Sequence, residues 1–351
     1  MKKKIKNVMC MLLAATMILA LGACGSNTDG TTVAARNSNS ANSGTKADVL
    51  IKFSLSHAAT EPAVAAAQNF SKEVAEKSGG KIEVQVYPDN QLGNERDVME
   101  GLRAHTVEMV DPANAVVTNF ITEFNIFSLP MLFENKQHLY AVLDTIAMGQ
   151  DYQALCEKNG FKLLGWFDMG SRNIMTVKKQ VDSMEDLNGL KIRNQEATVE
   201  MDGMASFGAS PLTMAYNDLY TAMNSNVIDG AEAANTNYVA KAFYEVAPNW
   251  AIVGWLECVN PVLMDLEFWN SLTAEQQEII TAAAANMIKS ERDLYAKSEE
   301  EALEKLKNMD TVKITYPDRA PFKEAAQSVY EKWAEELGGM EKIEEILNCT
   351  Y

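Results

Sequence analysis

Residues 186–238, DLNGLKIRNQEATVEMDGMASFGASPLTMAYNDLYTAMNSNVIDGAEAANTNY, decide the fold of this chain. Short apolar runs alternate here with segments of helical spacing, in the order strand, helix, strand, helix, strand. This alternation favours a parallel sheet joined by right-handed βαβ crossovers. Arg193 stands where the first of these strands ends. Because ligands of open α/β sheets collect beyond the carboxyl ends of the strands, Arg193 is well placed to bind an anion.

Turn and capping residues set the boundaries within this stretch. Ser183 and Asp186 form a capping-box pattern before a short helical turn, and Gly189 ends that turn. Strands are predicted at 190–192, 212–214 and 227–228, and helices at 196–206 and 217–226.

The chain before this stretch shows the same alternation. Strands are predicted at 49–55, 82–86 and 108–110, and helices at 60–78 and 95–104. His57 and Asn114 each follow a strand, on the side where ligands collect. A surface or helix-capping role is the alternative for His57. Asn94 is predicted to cap the helix at 95–104. Glu95 lies in the first turn of this helix, where a carboxylate also stabilises the helix dipole.

A second arginine of interest lies in the middle of the chain. A helix is predicted at 135–159, a strand at 161–167 and another strand at 174–177. Arg172, in the run GSRN, falls in the loop predicted between the two strands. It is either a ligand contact or a solvated charge, since most charged side chains are exposed.

The late part of the chain contains one very long helix. Strands are predicted at 250–255 and 262–264. Thr273 and Gln276 then form a capping box, and no Pro or Gly interrupts residues 274–308. A helix of this length spans about 50 Å, which is longer than a single domain requires. A coiled-coil helix is the alternative, although the sequence does not sustain a heptad.

Composition argues against several classes of function. The chain has 351 residues, and acidic side chains outnumber basic ones by 48 to 31, which gives a formal net charge of -17. Nucleic acid is not an expected partner, because phosphate recognition needs clustered Lys and Arg. The sequence lacks the GxSxG, GxGxxG, phosphate-loop and HExxH patterns, and its three histidines are scattered. We therefore expect no enzyme, no catalytic residue, no metal site and no cofactor.

The N-terminus is predicted to send the protein out of the cytoplasm. Four lysines precede an apolar segment at 8–21 that is too short to span a bilayer comfortably, so residues 1–23 are predicted to be a signal peptide. The run LGAC at 21–24 resembles a bacterial lipobox, which implies lipidation of Cys24 and attachment to the cell membrane. An ordinary secretory signal is the alternative. Residues 24–47 are rich in Ser, Asn, Thr and Gly and predict a flexible tether.

Three cysteines remain after this processing: Cys156, Cys258 and Cys349. Their odd number and the lack of a CxxC pair indicate neither a zinc site nor a disulfide framework. Buried free thiols are predicted, and one bridge, between Cys156 and Cys258, stays open.

Four stretches in order resemble one protein family. They are SGGKIEVQVYPDNQLGNERDVMEGL from Ser78, FSLPMLFENKQHL from Phe127, GSRNIMTVKKQVDSMEDLNGLKIR from Gly170, and GASPLTMAYNDLYTAMNSNVIDGAE from Gly208. Together they resemble the substrate-binding proteins of tripartite ATP-independent periplasmic (TRAP) transporters, which are extracytoplasmic receptors that deliver solutes to ion-driven membrane carriers. The resemblance covers nearly the whole mature chain.

The resemblance implies an α/β fold with two interleaved lobes of the periplasmic-binding-protein kind, a ligand cleft between them and a long connecting helix. Lobe I is expected at 48–169 and 259–298, and lobe II at 170–258 and 299–351. The expected partners are a small carboxylate ligand, the membrane carrier subunits and the membrane itself through the lipid anchor.

The family pattern also implies the ligand-binding residues. Arg193 is expected to clamp the ligand carboxylate, because a guanidinium presents two parallel N–H donors and stays charged when buried. The other implied ligand contacts are Arg172, Glu95, Tyr216, Asn235, His57 and Asn114. For Tyr216, core packing is the alternative. The chain departs from the family where an asparagine usually follows the glutamate of the Asp-Gly motif, since Glu232 is followed by two alanines, and Asn235 is the expected substitute.

These features are most similar to those of the sugar-acid branch of the family, for example proteins that bind hexuronates, because polyhydroxylated ligands need many neutral donors and acceptors around one charged clamp. Two rival hypotheses remain: a solute-binding lipoprotein of an ATP-driven importer, and a secreted hydrolase.

Overall fold

The computed structural model describes residues 47–214 and 216–351. The predicted signal peptide, Cys24 and all but the last residue of the predicted tether lie outside the described residues.

The described strands form one mixed sheet. They are β1 (Val49–Ser54), β2 (Ile82–Tyr87), β3 (Met109–Val110), β4 (Phe161–Thr176), β5 (Lys191–Asn194), β6 (Ser210–Thr213), β7 (Gly230–Ala233), β8 (Asn249–Asp265) and β9 (Lys313–Thr315). Their order is β2-β1-β3-β8-β4-β7-β5-β6, with β9 pairing on β8.

The described helices lie between and after these strands along the chain. They are α1 (Pro62–Lys77), α2 (Glu95–Arg103), α3 (Asn114–Val117), α4 (Lys136–Thr145), α5 (Gln150–Lys158), α6 (Thr198–Ser206), α7 (Leu219–Asn224), α8 (Asn235–Ala240), α9 (Leu266–Ser271), α10 (Ala274–Lys307), α11 (Ala320–Trp333) and α12 (Met340–Leu347). Short 3₁₀ turns lie between several of them.

The two longest strands, β4 and β8, are neighbours in the middle of the sheet and pair antiparallel along almost their full length. The sequence predicted each of them as two strands separated by a loop, and this prediction was wrong. Register shifts between Asp168 and Ser171 and between Arg172 and Ile174 let pairing continue through GSRN. Gly170, with φ +82°, supplies a conformation at this bulge that other residues rarely adopt. Arg172 therefore lies in a strand and not in a loop.

The sheet has two halves that share β4 and β8. The first half consists of β1, β2 and β3, which are parallel, together with the start of β4 and the end of β8. The second half consists of β5, β6 and β7, also parallel, with β9, the end of β4 and the start of β8. Each half carries the βαβ arrangement that the sequence predicted.

Two predicted boundaries were wrong. The third strand of the opening stretch begins at Gly230 and not at Val227, because Asn226 has φ +56° and places Val227 in an exposed turn. This shift puts Glu232 inside β7. The single helix predicted at 135–159 is divided into α4 and α5, since a turn from Ile146 closes on Gly149.

Helix α10 has 34 residues and begins at the predicted capping box of Thr273 and Gln276. Its first part packs on α1, where Asn286 donates a hydrogen bond to Glu73. Its later part reaches α8, where the Glu299 carboxylate accepts from the backbone N–H groups of Asn235 and Thr236. One helix thus contacts elements of both sheet halves.

The last two helices also join the halves. Helix α11 packs on α6, and the Tyr330 hydroxyl donates to the carbonyl of Pro130. On α12, the carbonyl of Ile346 lies 2.7 Å from Nε2 of His138 in α4. The segment after α10 is therefore in contact with the first half as well as the second.

Candidate functional site

The candidate site lies where the carboxyl ends of the parallel strands in the two sheet halves meet β4 and β8. Strands β5 and β7 bring Arg193 and Glu232 to this place, and β4 brings Arg172. From the first half come residues that follow β1 and β3. We call the space between these two groups the cleft.

Arg193 is almost completely buried, with 5% of its surface exposed. Its Nε donates to the carbonyl of Met214 at 2.9 Å, and its Nη1 donates to Oε1 of Glu232 at 2.9 Å. These bonds leave Nη2 without a hydrogen-bond partner among the described residues. The guanidinium is therefore fixed in direction and retains donors for another group.

Arg172 shares the same carboxylate. Its Nε lies 3.2 Å from Oε2 of Glu232, its Nη1 donates to Oδ1 of Asn237 at 3.2 Å, and its Nη2 donates to Sγ of Cys258 at 3.3 Å. Glu232 thus bridges the two arginines. Two guanidinium groups sharing one carboxylate keep a positive balance, which suits an anion.

The sequence analysis did not assign roles to Glu232 and Glu200. Glu200 lies in the first turn of α6 and is 2% exposed. Burial and the negative charge of Glu232 raise its pKa to about 8, against the opposing effect of Arg172. The sequence signal that could have indicated a buried Glu200 is its place among apolar residues, in the helix that follows the strand of Arg193.

Tyr216 lies beside the arginines and also packs in the second half. Its ring contacts Phe243 edge to face at 5.9 Å, and Cζ of Arg193 lies 6.0 Å from the ring centre. Burial raises the pKa of its hydroxyl, and the carboxylate of Glu61 adds to this increase. Glu61 belongs to the first half, so the two halves face each other here.

On the first half, His57 lies between two carboxylates. Its Nε2 is 3.1 Å from Oδ2 of Asp111, and its Nδ1 is 3.5 Å from Oε2 of Glu61. Burial alone would lower the pKa of His57, but the carboxylates raise it well above its ordinary value. Burial raises the pKa of Asp111 to about 6, although the charge of His57 opposes this rise. His57 is therefore held as an imidazolium at neutral pH.

Glu95 is held at the junction of β1, β3 and α2. Its Oε1 accepts from the Ser56 hydroxyl and from the backbone N–H of Ala113, both at 3.0 Å. The predicted cap of α2 is present, since Asn94 accepts from the N–H of Asp97. The carboxylate is thus oriented by the ends of two strands.

Asn114 and Asn235 each form hydrogen bonds with residues of the sheet half to which they belong. Asn114 donates to the carbonyl of Phe124 and to the hydroxyl of Ser128. Asn235 accepts from the indole N–H of Trp250 at 3.0 Å. Asn237, which the sequence analysis did not choose, is the asparagine in contact with Arg172.

Several buried polar atoms around the cleft make no hydrogen bond within residues 47–214 and 216–351. They include Oδ1 of Asp111, Oδ1 of Asn114, Oε2 of Glu200, the hydroxyl of Tyr216 and Oδ1 of Asn260. Native proteins rarely leave such atoms without partners, so polar groups of a ligand or water can complete their bonding here.

One surface cavity of the described residues lies away from the cleft. It has a volume of about 370 Å³ and is lined in part by His105, Asn159 and Asp265. Asp265 is the last residue of β8, and β8 runs antiparallel to β3. This cavity therefore lies at the amino ends of the parallel strands, whereas the cleft lies at their carboxyl ends. It contains none of the predicted ligand-binding residues.

Three further observations concern the described residues as a whole. No group of three or more His, Cys, Asp or Glu side chains there could hold a metal ion. No helix in that part combines the length and the apolar character that crossing a membrane requires. Cys156, Cys258 and Cys349 are free thiols, and the first two are buried.

The two-half sheet, the helix that contacts both halves and the polar cleft between them define a two-lobed solute-binding protein. The family model of the bacterial extracellular solute-binding proteins, family 7 (DctP), matches residues 53–336. The chain belongs to this family, whose members are the substrate-binding proteins of TRAP transporters and are not enzymes.

Relatives and solved structures agree with this assignment. The protein YiiZ of Salmonella typhimurium is 31% identical over 273 residues, which cover 78% of this chain and 83% of that protein. A Bradyrhizobium TRAP solute-binding protein, solved in complex with D-galacturonate, is 30% identical with a TM-score of 0.79 and covers 85% of this chain and 99% of its own. A Sulfurospirillum deleyianum TRAP solute-binding protein, solved with succinate, is 27% identical with a TM-score of 0.80 and covers 87% and 100%.

Proposed function

We propose that this protein captures a small organic carboxylate outside the cytoplasm, by means of an arginine clamp and lobe closure, and delivers it to the membrane subunits of a TRAP transporter. The ligand is a sugar acid such as a hexuronate. The observation that carries the proposal is the buried pair Arg193 and Arg172, joined by the single carboxylate of Glu232.

The chemistry of the clamp supports an anionic ligand. Arg193 is fixed by Met214 and Glu232, so little conformational entropy remains to be lost when it binds a carboxylate. A buried guanidinium keeps its charge, and its parallel donors match the two oxygens of a carboxylate. Tyr216 and Asn237 flank the arginines and present surfaces for the rest of the ligand.

A sugar acid fits the remainder of the cleft. Glu95, His57 and Asn114 line the first half. Oδ1 of Asp111 and Oδ1 of Asn260, which have no hydrogen-bond partner among the described residues, lie among them. Such groups bond hydroxyls well. The D-galacturonate bound by the Bradyrhizobium relative is a ligand of this kind.

Lobe closure would couple binding to transport. We assign residues 48–169 and 259–298 to lobe I and residues 170–258 and 299–351 to lobe II. A ligand that contacts both lobes favours the closed form, since only differential affinity shifts such an equilibrium. The membrane subunits would recognise that form. Small-angle X-ray scattering with and without ligand measures the expected compaction, and identical profiles in the presence of bound ligand would exclude closure.

The experiment that tests the proposal is a thermal-shift screen of residues 47–351 against uronates, aldonates and dicarboxylates, followed by calorimetry. We expect at least one sugar acid to raise the melting temperature and to bind with one-to-one stoichiometry. Stabilisation by neutral sugars alone would contradict the clamp.

Membrane attachment is proposed through a lipid on Cys24. In cells that express the full chain, we expect the protein in the membrane fraction and release of the Cys24→Ser variant to the soluble fraction. A wild-type protein that is already soluble would contradict lipidation.

A further inference from the structure

The two sides of the cleft carry opposite charge. The cationic wall consists of Arg172 and Arg193 with Glu232 between them. Glu200 stands beside this wall, and its raised pKa of about 8 leaves most of it uncharged at neutral pH. One carboxylate against two guanidinium groups gives this wall a positive balance.

The acidic wall consists of Glu61, Glu95 and Asp111 around His57. The side chain of Asp111 is 1% exposed. Its Oδ2 lies 3.1 Å from Nε2 of His57, and its Oδ1 makes no hydrogen bond among the described residues. With the imidazolium of His57 and the ammonium group of Lys241, which also acts on Glu61, three carboxylates face two positive charges. The balance of this wall is negative.

Strand β8 fixes the separation of the two walls. Cys258 contacts Arg172 in the cationic wall, and Asn260 contacts both His57 and the carbonyl of Asp111 in the acidic wall. The bulge in this region is on β4, so β8 pairs regularly here, and residues 258 and 260 lie on the same face. Two residues of a strand span about 7 Å, which is comparable with the end-to-end length of a six-carbon sugar acid.

We propose that Asp111 and Glu95 are specificity-determining residues that reject a second carboxylate, so that the protein selects monocarboxylates with a hydroxyl-bearing far end and excludes the corresponding dicarboxylates. This inference rests on the proposed function, because it takes the ligand carboxylate to lie on Arg193 and Arg172.

The charges explain this selection. A six-carbon acid that is held by one carboxylate at the cationic wall places its other end against Asp111 and Glu95. A hydroxyl there donates hydrogen bonds to the carboxylates, whereas a second carboxylate meets like charge in a desolvated place. The relative that was solved with succinate shows that the family includes proteins with a different selection.

Matched ligand pairs test the proposal. D-galacturonate and galactarate share the same six carbons and differ at C1, which closes the ring of galacturonate and is a second carboxylate in galactarate; D-glucuronate and D-glucarate form a second pair. D-galactonate and D-gluconate, which are open-chain monocarboxylates, control for the loss of the ring. Calorimetry on residues 47–351 should show the uronate of at least one pair binding about 100-fold or more tighter than its dicarboxylate. Equal affinities within a bound pair would overturn the inference and leave the proposed carboxylate clamp intact.

Three variants locate the source of the selection. Asp111→Asn and Glu95→Gln keep the shapes of the side chains and should each narrow the ratio of uronate to dicarboxylate affinity by about tenfold. Asp48→Asn removes the same charge from an exposed position at the opposite end of β1 and should leave the ratio unchanged. Melting temperatures confirm that each variant is folded. If Asp111→Asn does not fold, the affinity ratio of Glu95→Gln alone tests whether the acidic wall causes the selection.

The outcomes are distinguishable. One outcome is a large ratio of uronate to dicarboxylate affinity in the wild type that neither Asp111→Asn nor Glu95→Gln reduces. That result, or an equal reduction by Asp48→Asn, would show that the acidic wall is not the source of the selection. Failure of every uronate and aldonate to bind would instead overturn the proposed function.

Discussion

Nζ of Lys136, at the start of α4, lies 2.6 Å from Oε2 of Glu257 in the middle of β8. The same Nζ lies 2.8 Å from Oδ1 of Asp168 in β4, so one ammonium group holds both of the long strands close to their bulge. Ser171 donates a further hydrogen bond to Glu257. The two sheet halves are thus joined where their shared strands are irregular.

Lys136→Met should lower the free energy of unfolding by about 2–4 kcal/mol, because it leaves two buried carboxylates without their cation. Burial alone would lower the pKa of Lys136, but Glu257 and Asp168 raise it, so the ammonium form is the one that is lost. Urea denaturation measures the change. Lys323→Met, which removes an exposed pair with Glu134, should cost under about 1 kcal/mol. Equal effects of the two variants would contradict a special role for Lys136.

Arg193→Ala should weaken binding of the best sugar acid from the screen by about 3–5 kcal/mol, because it leaves the ligand carboxylate buried without its partner. Arg193→Lys keeps the charge but loses the planar pair of donors, and we expect a loss of about 1–2 kcal/mol. Calorimetry gives both values. Arg103→Ala, on the exposed side of α2, is the control. Unchanged affinity in Arg193→Ala would remove Arg193 from the site.

Glu200→Gln should flatten the pH dependence of stability. The folded protein keeps the proton of Glu200 up to a pKa of about 8, whereas the ordinary value is 4.5, so the folded state binds more protons between these values. The free energy of unfolding therefore falls as pH rises through this window, by at most about 1.4 kcal/mol per pH unit from this group. Urea denaturation at pH 5, 6, 7 and 8 compares the variant with the wild type. The exposed Glu324→Gln variant should keep the wild-type slope, and a wild-type slope in Glu200→Gln would refute the assignment.

The exposed pair between Arg96 and Glu196 should contribute little to closure. Nη2 of Arg96 in α2 lies 3.7 Å from Oε2 of Glu196, just after β5, so the pair crosses from one sheet half to the other, and both side chains are more than half exposed. Such pairs contribute about 0–1 kcal/mol and weaken with salt. A double-mutant cycle on ligand affinity, with Arg96→Ala and Glu196→Ala at low and high salt, measures the coupling. A coupling above about 2 kcal/mol would show that the pair latches the cleft.

Much of the fold could be predicted from sequence signals that involve residues close together in the chain. The caps at Asn94, Ser183 and Thr273 are present as predicted, since each depends on residues three positions apart. The length of α10 followed from the absence of Pro and Gly. The βαβ pattern predicted Arg193 at the end of a strand at 190–192, and the structure includes it in β5.

The failures came from interactions between distant parts of the chain. Pairing across the bulge at Gly170 joins segments almost 90 residues apart, so periodicity could not show that β4 continues through Arg172. Glu232 acquires its role from two arginines on other strands. Glu200 looks like an ordinary acid in a first helical turn, and only tertiary burial distinguishes it.

The interleaving of the sheet has a practical consequence. Strands β4 and β8 each run through both halves of the sheet. If the polypeptide is cut once between the halves, each fragment keeps part of a strand that belongs to the other half and loses part of a strand that its own half requires. Neither lobe can be expressed as a separate domain from one uninterrupted piece of the gene. Split-reporter or domain-swap designs for this protein would instead have to open the chain at the surface turns outside the central pair.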